Sequence, residues 1–243
     1  MKQRVVQIIG GSASSAFALE VGNSAWPNIL VKRYPYIEWR YINQPLMTLV
    51  KSLSHLENLE HSDILILHFG TSVGWPEPIV KLGHFLGMEL HNETAFQQPP
   101  KGYKGSFFSK SKKLFLLRIR NAIKYLLFAF GMYRPRASLR EMGDQVSVVA
   151  SIAQKRATHV LWIQHQSMQD NRIILERYLY RKYYREIIDA LSPKVSESFK
   201  VLQLPKDFLQ SENYLLDGVH LSEKGHRELA ELIEEKLASF LHD

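Results

Sequence analysis

The feature that most constrains the fold is an alternation of short apolar runs with longer amphipathic segments. The runs are rich in β-branched residues and predict five strands, at residues 5–9, 36–42, 64–69, 158–164 and 199–204. Helical periodicity follows at residues 46–59, 145–156, 172–191 and 222–241. Apolar strands that alternate with helices indicate a parallel sheet covered on both faces. The sequence therefore predicts an α/β fold, a three-layer α/β/α domain with a central, mainly parallel five-stranded sheet.

The last of these helices has the clearest pattern. One apolar stripe runs along it, made of Leu229, Leu232, Ile233, Leu237, Phe240 and Leu241. Ser222 stands just before the stripe, and serine is a preferred N-cap because its oxygen accepts from a free backbone N–H. We therefore expect a helix that begins next to Ser222 and packs on the sheet.

Charge is distributed unevenly along the 243 residues. The net charge is +7, yet the stretch between Lys101 and Arg140 holds eleven Lys or Arg and no acidic residue. We interpret residues 91–142 as a basic, apolar helical insertion in a single domain of residues 1–243. Two hypotheses stay open for it: its apolar side packs on the domain, or it lies on an anionic membrane.

Composition excludes several classes of protein. The chain has no cysteine, which excludes a disulfide scaffold, a thiol nucleophile and a thiolate metal site. The ten histidines show no metal-ligand spacing, and no phosphate-loop or dinucleotide motif is present, so we expect neither metal nor cofactor. No helix-turn-helix or finger pattern accompanies the charge, so a nucleic acid is not expected as a partner.

The sequence also bears on location. No apolar run reaches the roughly 18 residues that a transmembrane helix needs. The apolar run near the first residues is shorter than a signal peptide requires, and we interpret it as the first strand. We expect a cytoplasmic protein, with peripheral contact at the inner membrane face as a hypothesis.

A strand that ends in two glycines and a serine is the first candidate for chemistry. Gly10, Gly11 and Ser12 follow the first predicted strand. Glycines permit a tight turn, and a helix that starts just after it presents free N–H groups to the serine oxygen. An exposed nucleophile, a phosphate-binding turn and a plain helix N-cap all fit this pattern.

A second candidate precedes the last helix, where Asp217 and His220 stand three residues apart. On a tight loop this carboxylate accepts a hydrogen bond from the imidazole, which fixes the tautomer and stabilises the imidazolium form. Functional groups of parallel sheets gather at the carboxyl ends of the strands. Ser12 and the pair are therefore expected to meet there.

These blocks resemble the SGNH hydrolase superfamily, also called the GDSL esterases. In that family a strand leads into Gly-Asp-Ser, a Trp-Pro often follows, and Asp-x-x-His-Leu-Ser with a later glycine comes near the end. The corresponding residues are Gly10, Ser12, Trp26, Pro27, Asp217, His220, Leu221, Ser222 and Gly225, with Gly11 in place of the aspartate. The resemblance covers residues 3–75 and 143–241 and implies the flavodoxin-like SGNH fold. It implies Ser12 as nucleophile, His220 as general base and Asp217 as the group that orients it.

The resemblance also implies an oxyanion hole, and here the sequence departs from the family. The family uses a backbone N–H of glycine and the asparagine of Gly-x-Asn-Asp. This chain has Gly70 followed by Ser72 at the asparagine position, and Met47 lies near the point where the other glycine is expected. The implied donors are Ser12, Met47, Gly70 and Ser72.

Four further side chains near predicted strand ends are candidates for substrate binding. Asn43 and His68 are alternatives for polarising a substrate carbonyl, and Trp75 offers a face for stacking on a sugar ring. His165 lies at a strand end and is expected to line the pocket. A structural role stays open for each, such as hydrogen bonding within the strand for His68.

The resemblance implies ester chemistry through an acyl-serine. The broken Gly-x-Asn-Asp block and the basic insertion are similar to those of SGNH-like proteins of bacterial surface-polysaccharide gene clusters. That implies a carbohydrate ester, with acetyl as the expected acyl group. Water as acceptor makes the protein an esterase, and a sugar hydroxyl makes it an acyltransferase. Two alternatives remain: a noncatalytic glycan-binding or assembly protein, and a phosphate binder that uses the turn after the first strand.

Overall fold

The structure is a computed structural model that describes residues 3–11, 14, 24–44, 47–69, 76–78, 122–123, 125–127, 129–130, 133–135, 137–166, 174–215 and 220–241. It contains a five-stranded sheet in which every neighbouring pair is parallel. The sheet strands are β1 (Val5–Gly10), β2 (Glu38–Asn43), β3 (Ser62–Phe69), β6 (Ala157–Gln164) and β7 (Phe199–Gln203). Their order is β2-β1-β3-β6-β7. The predicted parallel sheet is confirmed.

Within the described residues, five helices of eight or more residues accompany the sheet. They are α1 (Trp26–Arg33), α2 (Leu49–Glu57), α3 (Leu139–Arg156), α4 (Ile174–Leu191) and α5 (Glu223–Leu241). The periodicity predicted α2 to α5 but not α1. Helix α3 begins at Leu139, earlier than the predicted residue 145, because Ser138 and Glu141 form a reciprocal capping box.

The core lies on both faces of the sheet, as the apolar strands predicted. Along β3, Ile64 and Ile66 pack with α1 and α5, whereas Leu65 and Leu67 pack with α2, α3 and α4. This division follows from the strand geometry, since successive side chains point to opposite faces. Three layers result, with the sheet in the middle.

A short two-stranded ladder stands apart from the main sheet. β4 (Pro76–Pro78) pairs antiparallel with β5 (Tyr133–Pro135). The ladder brings the two ends of the intervening chain together. Most of the predicted insertion, including residues 91–121, lies outside the described residues, so the insertion stays a prediction. No helix of the described part is both long and apolar enough to cross a membrane.

The start of α5 is held tightly against the turn at residues 211–213. Ser222 caps the helix as predicted, since its Oγ accepts from the Gly225 N–H at 3.1 Å. The Ser222 N–H in turn donates to the Asn213 carbonyl at 3.0 Å. A Cβ at Gly225 would lie 2.1 Å from that carbonyl oxygen. Only glycine fits this contact between helix and turn.

We expect Gly225→Ala to destabilise the protein by about 1–3 kcal/mol, because the methyl group would displace backbone. Gly143→Ala is the matched control within α3. Its added Cβ would meet the end of the Glu186 side chain, which can move, and alanine favours helix by up to about 1 kcal/mol. Urea unfolding of both variants measures the difference. Equal stability of the two would contradict the assignment of Gly225 as a packing position.

Candidate active site

The carboxyl ends of the strands bring the predicted site residues to one edge of the sheet. Gly10 at the end of β1 is paired with Asn43 of β2 on one side and with His68 of β3 on the other. Gln164, which precedes His165, is paired with Phe69. The described candidates Asn43, His68 and His165 therefore share the edge at which the chain turns toward Ser12. Ser12, Gly70, Ser72, Trp75 and Asp217 lie outside the described residues.

The turn after β1 is tied to its neighbours by backbone hydrogen bonds. The Gly11 N–H donates to the His68 carbonyl at 3.3 Å, and the Gly10 carbonyl accepts from the Gln44 N–H at 3.1 Å. A Cβ at Gly10 would lie 2.0 Å from the Ser14 Oγ, so this position requires glycine. A Cβ at Gly11 would be 3.6 Å from its nearest neighbour, which is ordinary contact. Crowding therefore does not explain why glycine replaces the family's aspartate.

A chain of hydrogen bonds runs through the buried centre of this edge. The Trp26 Nε1–H donates to His68 Nδ1 at 3.2 Å, and His68 Nε2 lies 3.2 Å from His165 Nδ1. The indole is only a donor, so His68 Nδ1 must be its unprotonated nitrogen. The proton of neutral His68 is therefore on Nε2, from which it donates to His165. One indole fixes the direction of both bonds.

Trp26 also reaches the opposite side of the site through its backbone. Its N–H donates to His226 Nδ1 at 3.3 Å. This N–H is one of the free donors of the first turn of α1, and Ala25 at the N-cap has no polar side chain to satisfy it. His226 belongs to the first turns of α5. Trp26 thereby connects the end of β3 to the start of α5.

The histidines near this edge influence one another electrostatically. Burial holds the pKa of His68 well below its usual value, with smaller contributions from His165 and His226. Burial, with smaller contributions from His165 and His220, lowers the pKa of His226 to about 4. His68, His165 and His226 are buried, whereas His220 is partly exposed. In the part of the chain that the structure describes, no such cluster has an arrangement suited to a metal ion.

The loop that contains the predicted base is closed at its two ends. The Leu215 N–H donates to the His220 carbonyl at 2.8 Å, and Tyr214 and Leu221 form an antiparallel bridge. His220 therefore stands at the mouth of a tight loop, directly before α5. His220 also contributes to the lowered pKa of His226.

Two tyrosines hold the segment that follows β6. The Tyr180 hydroxyl donates to the His165 carbonyl at 3.0 Å, and the Tyr214 hydroxyl donates to the Gln166 carbonyl at 2.8 Å. Burial raises the pKa of the Tyr214 hydroxyl, so it remains a donor. These bonds fix the backbone from which the His165 ring projects. That His165, His68 and Asn43 contact a substrate stays a prediction.

Among the implied oxyanion donors, Met47 lies within the described residues, and its backbone N–H already has an acceptor in the protein. Met47 is almost fully buried, and its N–H donates to the Gln44 carbonyl at 3.2 Å. To serve as an oxyanion donor, this N–H would have to release the Gln44 carbonyl and donate to the substrate oxyanion instead. The other implied donors lie outside the described residues, so the oxyanion hole stays a prediction.

Solved structures with the same architecture are lipases and esterases. A lipase/acylhydrolase from Enterococcus faecalis matches with a TM-score of 0.58 and 12% identity, over 97% of this chain and 95% of that one. A member of the lipolytic G-D-S-L family from Veillonella parvula matches with a TM-score of 0.56 and 10% identity, over 96% and 97%. A variant of an acetyl xylan esterase from Geobacillus stearothermophilus matches with a TM-score of 0.54 and 14% identity, over 97% and 96%.

The chain has the SGNH hydrolase fold. The matches extend over nearly the whole of each chain, and the predicted three-layer architecture with its parallel five-stranded sheet is confirmed. At these identities the likeness shows the fold alone. No family model matches the sequence, and no curated protein matches it either.

Sequence reasoning missed helix α1 and the role of His226. Pro27 stands in the first turn of α1, where proline is favoured, and this signal was available. His226 precedes Leu229 and Ile233 by helical spacing and so continues the apolar stripe of α5. A histidine on such a stripe is expected to be buried, so its burial could have been predicted from the helical spacing. Which donor it meets required the tertiary structure.

We expect Trp26→Phe to destabilise the protein by about 1–3 kcal/mol, because it leaves His68 Nδ1 buried without its donor. His68 is then free to adopt the other tautomer, which nitrogen NMR of the histidine ring detects. Trp39→Phe is the matched control, since its indole donates to the Tyr34 carbonyl away from the histidines. An unchanged His68 tautomer in Trp26→Phe would contradict the direction proposed for the hydrogen bonds from Trp26 through His68 to His165.

We expect stability to fall as the pH decreases from about 6.5 to about 4. Over this window the unfolded chain binds a proton at His226 that the folded protein excludes, so unfolding is favoured. The shift corresponds to about 3 kcal/mol for His226, and His68 acts in the same direction. His226→Gln should flatten the slope of unfolding free energy against pH, and the exposed His61→Gln should not. The same slope in all three proteins would refute this assignment.

Proposed function

We propose that the protein is a serine-dependent esterase that acts on acyl esters of carbohydrate, with acetyl as the acyl group. The observation that carries this proposal is the double hydrogen bond of Trp26. These two bonds join the start of α5, which directly follows the Asp217–His220 loop in the chain, to the carboxyl edge of the sheet. In the sequence, Ser12 follows β1, which ends at that edge. These are the two places at which the SGNH fold holds a nucleophile and its base.

In the proposed reaction the Ser12 Oγ attacks the acyl carbonyl carbon, and His220 accepts the serine proton. The resulting oxyanion collapses to an acyl-serine, and the sugar oxygen leaves with the proton held by His220. Water then attacks the acyl-serine and His220 accepts a proton from it. As the bond to the Ser12 Oγ breaks, His220 returns this proton to that oxygen, and the acid and free serine are released. Asp217 holds the His220 ring in the required tautomer and stabilises its positive charge.

The surroundings of His220 support this role. His220 becomes a cation when it accepts the serine proton, and nearby cations would oppose that step. Burial keeps His68 and His226 neutral through their lowered pKa values. Because these neighbours are neutral, they do not oppose the His220 imidazolium, which the carboxylate of Asp217 stabilises in the proposed reaction.

A carbohydrate substrate is supported by two observations. One solved structure of the same fold is an acetyl xylan esterase. The candidate side chains Asn43 and Trp75 combine an amide with an aromatic face, which suits a sugar. We place the protein in the cytoplasm, in the synthesis or modification of a surface polysaccharide. Transfer of the acyl group to a sugar hydroxyl in place of water is the acyltransferase form of the same route.

Labelling with a fluorophosphonate tests the nucleophile directly. We expect intact-mass spectrometry to show a single adduct on the wild-type protein and none on Ser12→Ala. Ser14→Ala is the matched control, because Ser14 lies two residues away and its hydroxyl donates to the Gly11 carbonyl at 2.8 Å. We expect Ser14→Ala to keep the adduct. For an acetylated sugar, turnover by Ser12→Ala should fall by roughly 10⁴-fold or more.

The absence of an adduct, under conditions that label a control esterase, would overturn the proposal. An adduct that survives in Ser12→Ala and disappears in Ser14→Ala would assign the nucleophile to Ser14. Product analysis with and without a sugar acceptor then separates hydrolysis from transfer.

A noncatalytic glycan-binding or assembly protein is the second candidate. It is favoured by the Met47 N–H, which already donates to Gln44, and by Ser72 at the position of the family's asparagine. Losing one oxyanion donor costs on the order of 100–1000-fold in turnover. Glycan binding that is equal in the wild type and Ser12→Ala, without labelling or turnover, would favour this candidate.

A further inference from the structure

We propose that an exposed apolar helix face near the end of the basic stretch docks on the surface of an anionic lipid bilayer. The face consists of Ile123, Leu126 and Phe130, and we call it the apolar face. Residues 122–123, 125–127 and 129 are helical, and the Phe130 N–H donates to the Leu126 carbonyl at 3.1 Å. The proposal is independent of the esterase reaction.

The spacing of the three residues places them on one side of the helix. Positions separated by three and four residues are neighbours on a helix surface. Ile123 is 47% exposed, Leu126 is 59% exposed and Phe130 is 74% exposed. Tyr125 is 45% exposed and adds an amphipathic ring at the flank. Three large apolar side chains are therefore exposed on one side of this helix, whereas a helix that packs on a core buries its apolar side chains and exposes polar ones.

The positive charge of the surrounding sequence favours an anionic bilayer as the partner of the apolar face. Between Lys101 and Arg140 there are eleven basic residues and no acidic residue, while the rest of the chain has 20 basic and 24 acidic residues. A second copy of this face would bring two strongly basic segments together, which is unfavourable. An anionic bilayer satisfies both features: its headgroups attract the basic side chains and its acyl boundary takes the apolar ones.

This surface is connected in the chain to the sheet edge at which the candidate site residues lie. Residues 70–75 are all that separate the end of β3 from β4, and β4 pairs with β5, which follows the apolar face in the chain. Docking would therefore hold the domain at the bilayer by a segment that leaves from the carboxyl edge of the sheet.

Vesicle co-sedimentation of the full-length protein tests the proposal. We expect the wild type to bind vesicles of phosphatidylcholine with phosphatidylglycerol at least tenfold more strongly than vesicles of phosphatidylcholine alone. Binding should weaken as salt is raised, because the attraction to the headgroups is screened. Leu126→Ser/Phe130→Ser should lower binding to the anionic vesicles by about tenfold or more.

The matched control is Val50→Ser/Val195→Ser, which removes two apolar side chains of similar exposure elsewhere, at 57% and 56%. We expect this control to bind as the wild type does. Circular dichroism and esterase turnover without vesicles should be unchanged in both double variants, because the substituted residues are exposed. Equal binding by the wild type and Leu126→Ser/Phe130→Ser would overturn the proposal, and so would equal binding to neutral and anionic vesicles. A wild-type dimer that the substitution dissociates, without vesicle binding, would assign the face to a second copy instead.

Discussion

The arrangement of the candidate site depends on one buried residue, Trp26, and on its two hydrogen bonds. The indole N–H is bonded to His68 at the end of β3, and the backbone N–H is bonded to His226 at the start of α5. A buried donor that loses its acceptor is costly, so neither element can shift without breaking a bond that has no inexpensive replacement. The start of α5 is therefore held to the end of β3 through Trp26, by polar contacts as well as by apolar packing.

The same bonds determine the electrical character of the site. The Trp26 indole occupies Nδ1 of His68, and burial opposes a charge on the ring. His226 is held neutral in the same way while it accepts from the α1 backbone. His68 and His226 are therefore polar but uncharged. In the proposed reaction this leaves His220 free to become the cation of the site, with Asp217 as its counter-ion.

The two proposals concern different parts of the chain and rest on different forces. The esterase reaction rests on the carboxyl edge of the sheet, where hydrogen bonds between buried groups give precise positions. The membrane contact rests on the apolar face, where exposed area and long-range charge act without precise geometry. The β4–β5 ladder connects the two regions, since β4 follows shortly after β3 and β5 follows the apolar face.

The sequence by itself determined the sheet, the described helices α2 to α5 and the cap at Ser222. These features follow from local periodicity and from a side-chain oxygen next to a free N–H, so they are readable from neighbouring residues. It also indicated Ser12, Asp217 and His220 through spacing and family resemblance. Only the tertiary structure decided that Trp26 joins His68 to His226, because these residues are distant in the chain. Their protonation depends on burial and on which donor faces each ring, and neither is encoded in local sequence.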